Sequence, residues 1–379
     1  MRNNLPVPWS GVMSRSHRPW LGAFVALCSG VIAARPALAQ WTVTNLHPPG
    51  EWSGSWASGT SASRQVGSVV PDGGVIGAPP VYASLWNGTA GSWVNLHPDD
   101  DFWTQSEALG VADHQQVGHV IHVNVAGPPV SYQRACLWNG TAASIVFLSD
   151  SPSSALATSG TNQVGWVFTG GTGVHASLWS GTSDSRVELH PAGAAYSSAL
   201  GVFGTQQVGS ADGRAGLWNG TPESWVELHP AGATSSVAVG TTGTRQVGDA
   251  VVGGVKHASL WSGTAASWVD LSPTGATESS ASGIFGDWQV GHSVFGGGSH
   301  ASLWNGSDDS WVDLSMSLTG SWGDTYAQSI WSDGTTTCIA GYGFNVTTQR
   351  NEALLWSVPA PGSATPLGLA GLIAMRRRR

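Results

Sequence analysis

Three groups of residues could carry chemistry. Histidine recurs at one position of a repeated phrase, at His175, His257 and His300, and again in Leu-His-Pro turns at His47, His97, His190 and His229. Imidazole is a common metal ligand, but zinc–nitrogen distances of about 2.0–2.1 Å demand side chains that converge, and equivalent positions of successive repeats lie too far apart. These histidines are read as ties between strand and turn, and no metal site is assigned. Asp99-Asp100-Asp101 and Asp308-Asp309 offer hard oxygen ligands for calcium. No Asp-x-Asp-x-Asp-Gly loop accompanies them, so they read as solvated turn acids. The sequence has no Gly-x-Ser-x-Gly elbow and no phosphate-binding glycine loop. No catalytic residue and no cofactor are assigned. Carboxylates from different repeats could still meet in space, as glycoside hydrolysis requires. The third group is aromatic. Trp52, Trp56, Trp103, Trp322 and Trp331 fall outside the repeated phrases and are the candidate ligand-binding residues, because tryptophan faces stack on sugar rings.

The elements that must position these side chains are short and numerous. Leu-Trp recurs seven times, with tryptophans at Trp86, Trp138, Trp179, Trp218, Trp261, Trp304 and Trp356, spaced by 52, 41, 39, 43, 43 and 52 residues. Gln-Val-Gly ends at Gly67, Gly118, Gly165, Gly209, Gly248 and Gly291, with Ile339-Ala340-Gly341 as a seventh copy. Phrases of the Ser-Trp-Val-x-Leu type end at Leu46, Leu96, Leu148, Leu189, Leu228, Leu271 and Leu314. Each unit holds four β-like runs; in the sixth they are 280–285, 288–295, 300–304 and 310–314. Asn-Gly or Ser-Gly after the tryptophan predicts a tight hairpin joining the third run to the fourth. Four antiparallel strands per repeat of this length describe a propeller blade. The repeats begin with a fourth run, at Trp41–Leu46, and end with a third, at Glu352–Trp356. The sequence therefore predicts an all-β, seven-bladed β-propeller of four-stranded antiparallel blades, closed by pairing of the N-terminal strand with the last blade. The repeated Trp and Leu residues should fill the space between sheets, and small residues such as Ala108-Leu109-Gly110 should crowd the centre.

Composition agrees. Charged residues are 10% of the 379, with one lysine against 52 glycines and 21 tryptophans. A pI of 5.8 argues against nucleic acid. Residues 1–39 have the form of a secretory signal: Arg15, His17 and Arg18, an apolar run from Trp20 to Ala34, then Ala37-Leu38-Ala39, predicting cleavage between Ala39 and Gln40. The propeller is assigned to 40–358. Outside the two ends, seven basic residues face 23 acidic ones, a net charge of −16, which disfavours anionic polymers. Cys136 and Cys338 sit where other repeats carry assorted residues, so no disulfide framework is expected.

Residues 359–379 run from Pro359-Ala360-Pro361 through an apolar stretch to Arg376–Arg379. This order resembles the PEP-CTERM sorting signal of bacterial exported proteins, with Ala360 where that family usually has Glu. The resemblance implies transient membrane anchoring by the C-terminal segment, the secretion translocon and an exosortase-type sorting enzyme as partners, and release to the cell surface or beyond. The phrase His-Ala-Ser-Leu-Trp, at His175–Trp179, His257–Trp261 and His300–Trp304, resembles the HAF repeat of bacterial extracellular proteins. Ser177, Ser259 and Ser302 stand where that family has Phe, and Tyr82, Arg134, Arg214 and Glu352 replace the His elsewhere. That resemblance implies an exported repeat protein and supplies no catalytic residues. The expectation is a non-enzymatic surface or extracellular-matrix module that binds a glycan, such as exopolysaccharide, or a surface protein, or serves as a structural part of the envelope. A carbohydrate-active hydrolase or lyase on the same scaffold is the alternative.

Overall fold

The computed structural model describes residues 41–73, 80–124 and 130–359. The predicted signal peptide with its Ala39/Gln40 cleavage point, and the sorting tail from Ala360 onward, including Pro361 and Arg376, lie outside the described residues. The chain forms seven four-stranded antiparallel sheets with consecutive strands adjacent in each. Six blades are continuous. Blade one comprises Trp52–Ser61, Arg64–Pro71, Tyr82–Trp86 and Val94–Asn95, ordered from the axis outward, and blade six comprises Glu278–Phe285, Trp288–Phe295, Gly298–Trp304 and Val312–Asp313. Blade seven takes Trp322–Ser332, Thr336–Asn345 and Arg350–Pro359 from the end of the repeat region and Thr42–Asn45 from its start. Thr42 pairs with Ser357 and Asn45 with Leu354, so the seven-bladed ring closes as the out-of-phase repeats require.

Each repeated phrase has a structural duty. All seven Leu-Trp tryptophans are fully buried, as are Leu46, Leu96, Leu148, Leu189, Leu228, Leu271 and Leu314. The Gly of Gln-Val-Gly faces a bulge in the inner strand, where the register slips between Ala155 and Ala157 or their equivalents in every blade. A Cβ on Gly165 would lie 1.9 Å from the Ser154 carbonyl oxygen, so no other residue fits. The Gln carbonyl accepts from the glycine amide that follows the buried Trp: Gln65 from Gly88, Gln163 from Gly181 and Gln289 from Gly306, at 2.7–2.8 Å. Blade seven has no such turn, because its fourth strand comes from the start of the repeat region; its equivalent residue is Ile339, with no amide to bind.

The connection of third to fourth strand corrects one expectation. It is not a two-residue turn with positive φ at both positions. Gly88 has φ +77° while Asn87 does not take positive φ, and a 3₁₀ turn, Ala90–Ser92, follows. Ser92 Oγ donates to Thr89 O at 2.6 Å and accepts from Asn87 N at 2.8 Å. The same serine pair of bonds and 3₁₀ turn recur at Ala142–Ser144 and Ser183–Ser185, where Ile145 and Arg186 follow; in blade one the following indole, Trp93, donates to Ser84 Oγ at 3.0 Å. The fourth strand is correspondingly short, two residues in blades one to six.

Neighbouring blades share one recurring bond. The third-strand Ala amide donates to a Ser or Thr hydroxyl on the next blade's inner strand: Ala83 to Ser106, Ala135 to Ser153, Ala176 to Ser197, Ala215 to Ser236, Ala258 to Ser279, Ala301 to Thr325 and Ala353 to Ser55, each at 2.9 Å. The last of these spans the closure. In the Leu-His-Pro turns, Nδ1 of His47, His97, His190 and His229 lies 2.7–2.9 Å from the same hydroxyl. His97, His190 and His229 also have Nε2 2.9–3.1 Å from a backbone carbonyl. Nε2 therefore donates to those carbonyls, and Nδ1 faces the serine hydroxyl.

Candidate functional site

The third-strand histidines meet fourth-strand carboxylates: His175 with Glu188, His257 with Asp270 and His300 with Asp313, at 2.8–2.9 Å. Where histidine is replaced, the partner changes with it. Arg214 pairs with Glu227 at 2.8 Å, and the Arg134 guanidinium lies 4.2 Å above Phe147. At the closure the polarity inverts: Glu352 on the third strand accepts from Asn45 of the N-terminal strand at 2.6 Å, and also from Asn345, Thr348 and Arg350. These donors hold the Glu352 carboxyl below its usual range although burial opposes them. The histidines thus tie strand to strand. Among the described residues, no three His, Cys, Asp or Glu side chains gather as a metal site, and Asp100 is engaged in capping the Phe102 and Trp103 amides. Cys136 and Cys338 are free thiols.

The central channel is lined by inner-strand residues of all seven blades, among them Gly59, Gly110, Ala157, Gly201, Gly240 and Gly283, and encloses about 210 Å³. Among the described residues no charged side chain lines it. A larger cavity, about 480 Å³, opens between blades six and seven, within the 300–1,000 Å³ typical of ligand pockets. Its walls include Trp322 and Phe344 from blade seven, His300 and Ser299 from blade six, and Asp324. The turn here reads Leu314-Ser315-Met316 instead of Leu-His-Pro, and Ser315 lines the pocket. Serine removes the imidazole ring that, in blade three, has His190 stacked on His175 at 3.7 Å. The Trp322 indole is oriented by donating to Thr319 O at 2.9 Å. Asp324 Oδ1 accepts from the Ser299 amide at 2.7 Å. His300 Nδ1 is held by Asp313 and Ser315, while Nε2 has no protein partner among the described residues. An aromatic wall, a carboxylate and an imidazole nitrogen together can stack on a ring and hydrogen-bond its hydroxyls.

The five tryptophans singled out from the sequence do not form one site. Trp322 lines the pocket. Trp52 occupies the matching strand start in blade one, donating to Pro49 O, with its ring 4.9 Å from Trp93. Trp56 lies farther along that strand, 6.5 Å from Tyr342. Trp103 is only 7% exposed and packs in the core against Tyr132 and Phe147, which leaves little surface for a ligand. Trp331 is at the other end of its strand, 6.3 Å from Phe285. The pocket residues Phe344, Asp324 and His300 were not singled out as a site. The Leu-His-Pro turn is broken here, but also at Leu148-Ser149-Asp150 and Leu271-Ser272-Pro273, so the turn alone does not single out this site.

No family model matches the chain, and no curated protein matches it. Solved structures do. An acylaminoacyl peptidase from Pyrococcus horikoshii aligns with 81% of this chain at 10% identity and a TM-score of 0.52; the chain spans 53% of that structure. The likeness is one of fold. TolB from Acinetobacter baumannii aligns with 70% of the chain at 10% identity and a TM-score of 0.38, covering 64% of TolB. PorZ, a bacterial surface component of the type-IX secretion system of Porphyromonas gingivalis, aligns with 87% at 11% identity and a TM-score of 0.25, covering 54% of PorZ.

Proposed function

We propose that the protein is an exported, non-enzymatic binding module of the cell surface or extracellular matrix, and that it binds a glycan. The observation that carries this reading is the pocket between blades six and seven, where Trp322 and Phe344 stand beside Asp324 and His300. A net charge of −16 outside the two ends favours a neutral or cationic ligand over an acidic one. Export rests on the sequence features of residues 1–39, and surface sorting on the resemblance of residues 359–379 to a PEP-CTERM tail. The resemblance of the repeated phrase to HAF repeats supports an exported repeat protein. Glycan-array binding by residues 40–359, which hold all seven sheets, should reveal a ligand, and Trp322→Ala and Asp324→Ala should each remove it while leaving the melting temperature near that of the parent. A blank array, or binding unaffected by both substitutions, would refute the reading.

A hydrolase or lyase on this scaffold has one observation in its favour. Burial pushes the Asp249 carboxyl up to about 6, as a general acid requires, and Glu278 acts on it from nearby. Release of reducing ends from a bound polysaccharide, abolished by Asp249→Asn, would support that alternative.

A further inference from the structure

In several blades the residue after Gln-Val-Gly reaches toward the inner strand of the next. His119 Nδ1 is 3.0 Å from Ser154 Oγ, the His292 ring is 4.9 Å from Tyr326, and Tyr342 is 6.5 Å from Trp56. Tyr326 and Tyr342, partners across strands, stack at 4.9 Å. Four rings from three successive blades, His292, Tyr326, Tyr342 and Trp56, therefore form a continuous arc. Tyr326 and Trp56 stand two residues before Gln328 and Ser58, which line the channel, so the arc lies around the axis at the end where the inner strands begin.

At the His292 end of the arc is Asp249. Its Oδ1 and His292 Nδ1 are both buried with no hydrogen-bond partner among the described residues, a condition that costs stability for each group. The Ser280 hydroxyl and Ala281 amide favour the charged carboxylate without overcoming its burial. Asp324 acts on both His292 and Tyr342, and Glu278 acts on His292. Lys256 is the cation among these groups, and its Nζ is 3.1 Å from Glu278. Glu278 is thereby neutralised; Lys256 also acts on Asp249 and His292 from farther off, but neither Asp249 nor Asp324 forms an ion pair among the described residues. Glu107 belongs to the same layer, on blade two.

We propose that this arc, closed by the Asp249 and Asp324 carboxylates, binds an ammonium group at the mouth of the central channel. The negative faces of aromatic rings attract a cation, and the acids add to that field. A phosphate or carboxylate would be repelled by Asp249, Asp324 and Glu278, which outnumber Lys256. A neutral sugar could stack on the rings but would leave the carboxylate charge unbalanced. An ammonium group satisfies both. Two sources carry the same group: an amino sugar with a free amine, and a lysine side chain of another exported protein.

Calorimetric titration with a glucosamine tetramer, its N-acetylated counterpart and a lysine-containing tetrapeptide tests the assignment. Binding of the glucosamine tetramer or the peptide should exceed that of the acetylated tetramer about tenfold at low salt and weaken as salt rises. Asp249→Asn and Tyr326→Leu should each lower the affinity about tenfold, while Phe203→Ser, at the far end of the channel, leaves it unchanged. Preference for the sugar amine identifies a polymer as the source, and preference for the peptide identifies a protein. Equal affinity for amine and acetylated forms, or unchanged affinity in both arc variants with the fold intact by circular dichroism, overturns the ammonium assignment. A glycan site at Trp322 would survive that result.

Discussion

Replacing Ser55 by alanine tests whether the ring closes as tightly as its internal blade boundaries. The Ser55 hydroxyl is fully buried, accepts from the Ala353 amide at 2.9 Å and lies 2.9 Å from His47 Nδ1. Its removal strands a buried N–H, at about 1–3 kcal/mol, and deprives His47 of a partner. A central value of about 2 kcal/mol is reasonable. Unfolding entropy near 2.1 cal/mol/K per residue, over about 320 residues, gives roughly 0.7 kcal/mol/K, so the melting temperature should fall by about 3 °C. Scanning calorimetry with chemical denaturation in parallel would measure it. Ser197→Ala breaks the same pair of contacts between blades three and four and should cost as much. Ser55→Thr should restore most of the loss, since Thr325 fills this role at the boundary of blades six and seven. A shift below about 0.5 °C for Ser55→Ala beside a normal shift for Ser197→Ala would show that closure contributes little, and equal losses for Ser55→Thr and Ser55→Ala would refute the hydroxyl argument.

Trp179→Ala empties a fully buried site and should destabilise by about 3–5 kcal/mol in urea titration. Gly165→Ala should prevent recovery of folded protein, because the new methyl group would sit 1.9 Å from a carbonyl oxygen. Gly216→Ser should instead be tolerated within about 1 kcal/mol, although a Cβ there would lie 2.1 Å from the Trp225 ring; that ring can swing to donate to the new hydroxyl, as Trp93, Trp268 and Trp311 already do. Burial lowers the His119 pKa from 6.5 to about 4, so the unfolded chain binds the extra proton between those values and the His119 contribution is lost as pH falls through the window. Asp249, raised from 3.8 to about 6, works in the opposite direction, favouring the fold as pH falls from 6. Stability curves from pH 4 to 6.5 should therefore steepen upward with pH in Asp249→Asn and tilt downward in His119→Gln, relative to the parent; no change in slope would contradict both assignments.

The fold was legible because the repeat spells it out. Seven Leu-Trp pairs, a strand's worth of residues missing at one end and its match at the other, and a glycine in every second strand leave one architecture. The wider turn after Asn87 was misread because Asn-Gly supports a tight hairpin there, while the serine five residues on, Ser92, accepts from Asn87 N and donates to Thr89 O and so closes a longer 3₁₀ turn that recurs in blades one to six. The site was less legible. Trp322 could be picked out as an aromatic outside the phrases, but Trp103 looks the same in sequence and is buried by Tyr132 and Phe147. The His292–Tyr326–Tyr342–Trp56 arc joins residues from three blades, and only the ring geometry brings them into contact. Its trace in the sequence is the residue after Gln-Val-Gly, which varies from Ser68 and His119 to Asp249 and Tyr342 beside an unvarying glycine.

The direction in which the closing strands run has a mechanical consequence. Thr42 lies opposite Ser357, and Leu46 N donates to Ala353 O at 2.8 Å at the other end of the pair. Tension applied between residues 41 and 359 therefore pulls on two antiparallel strands from the same side. The load falls on one rung at a time, beginning at Thr42 and reaching the Leu46 bond last. A tether using both points would peel the ring open rung by rung at low force, whereas a tether using either point alone would leave the seam unloaded.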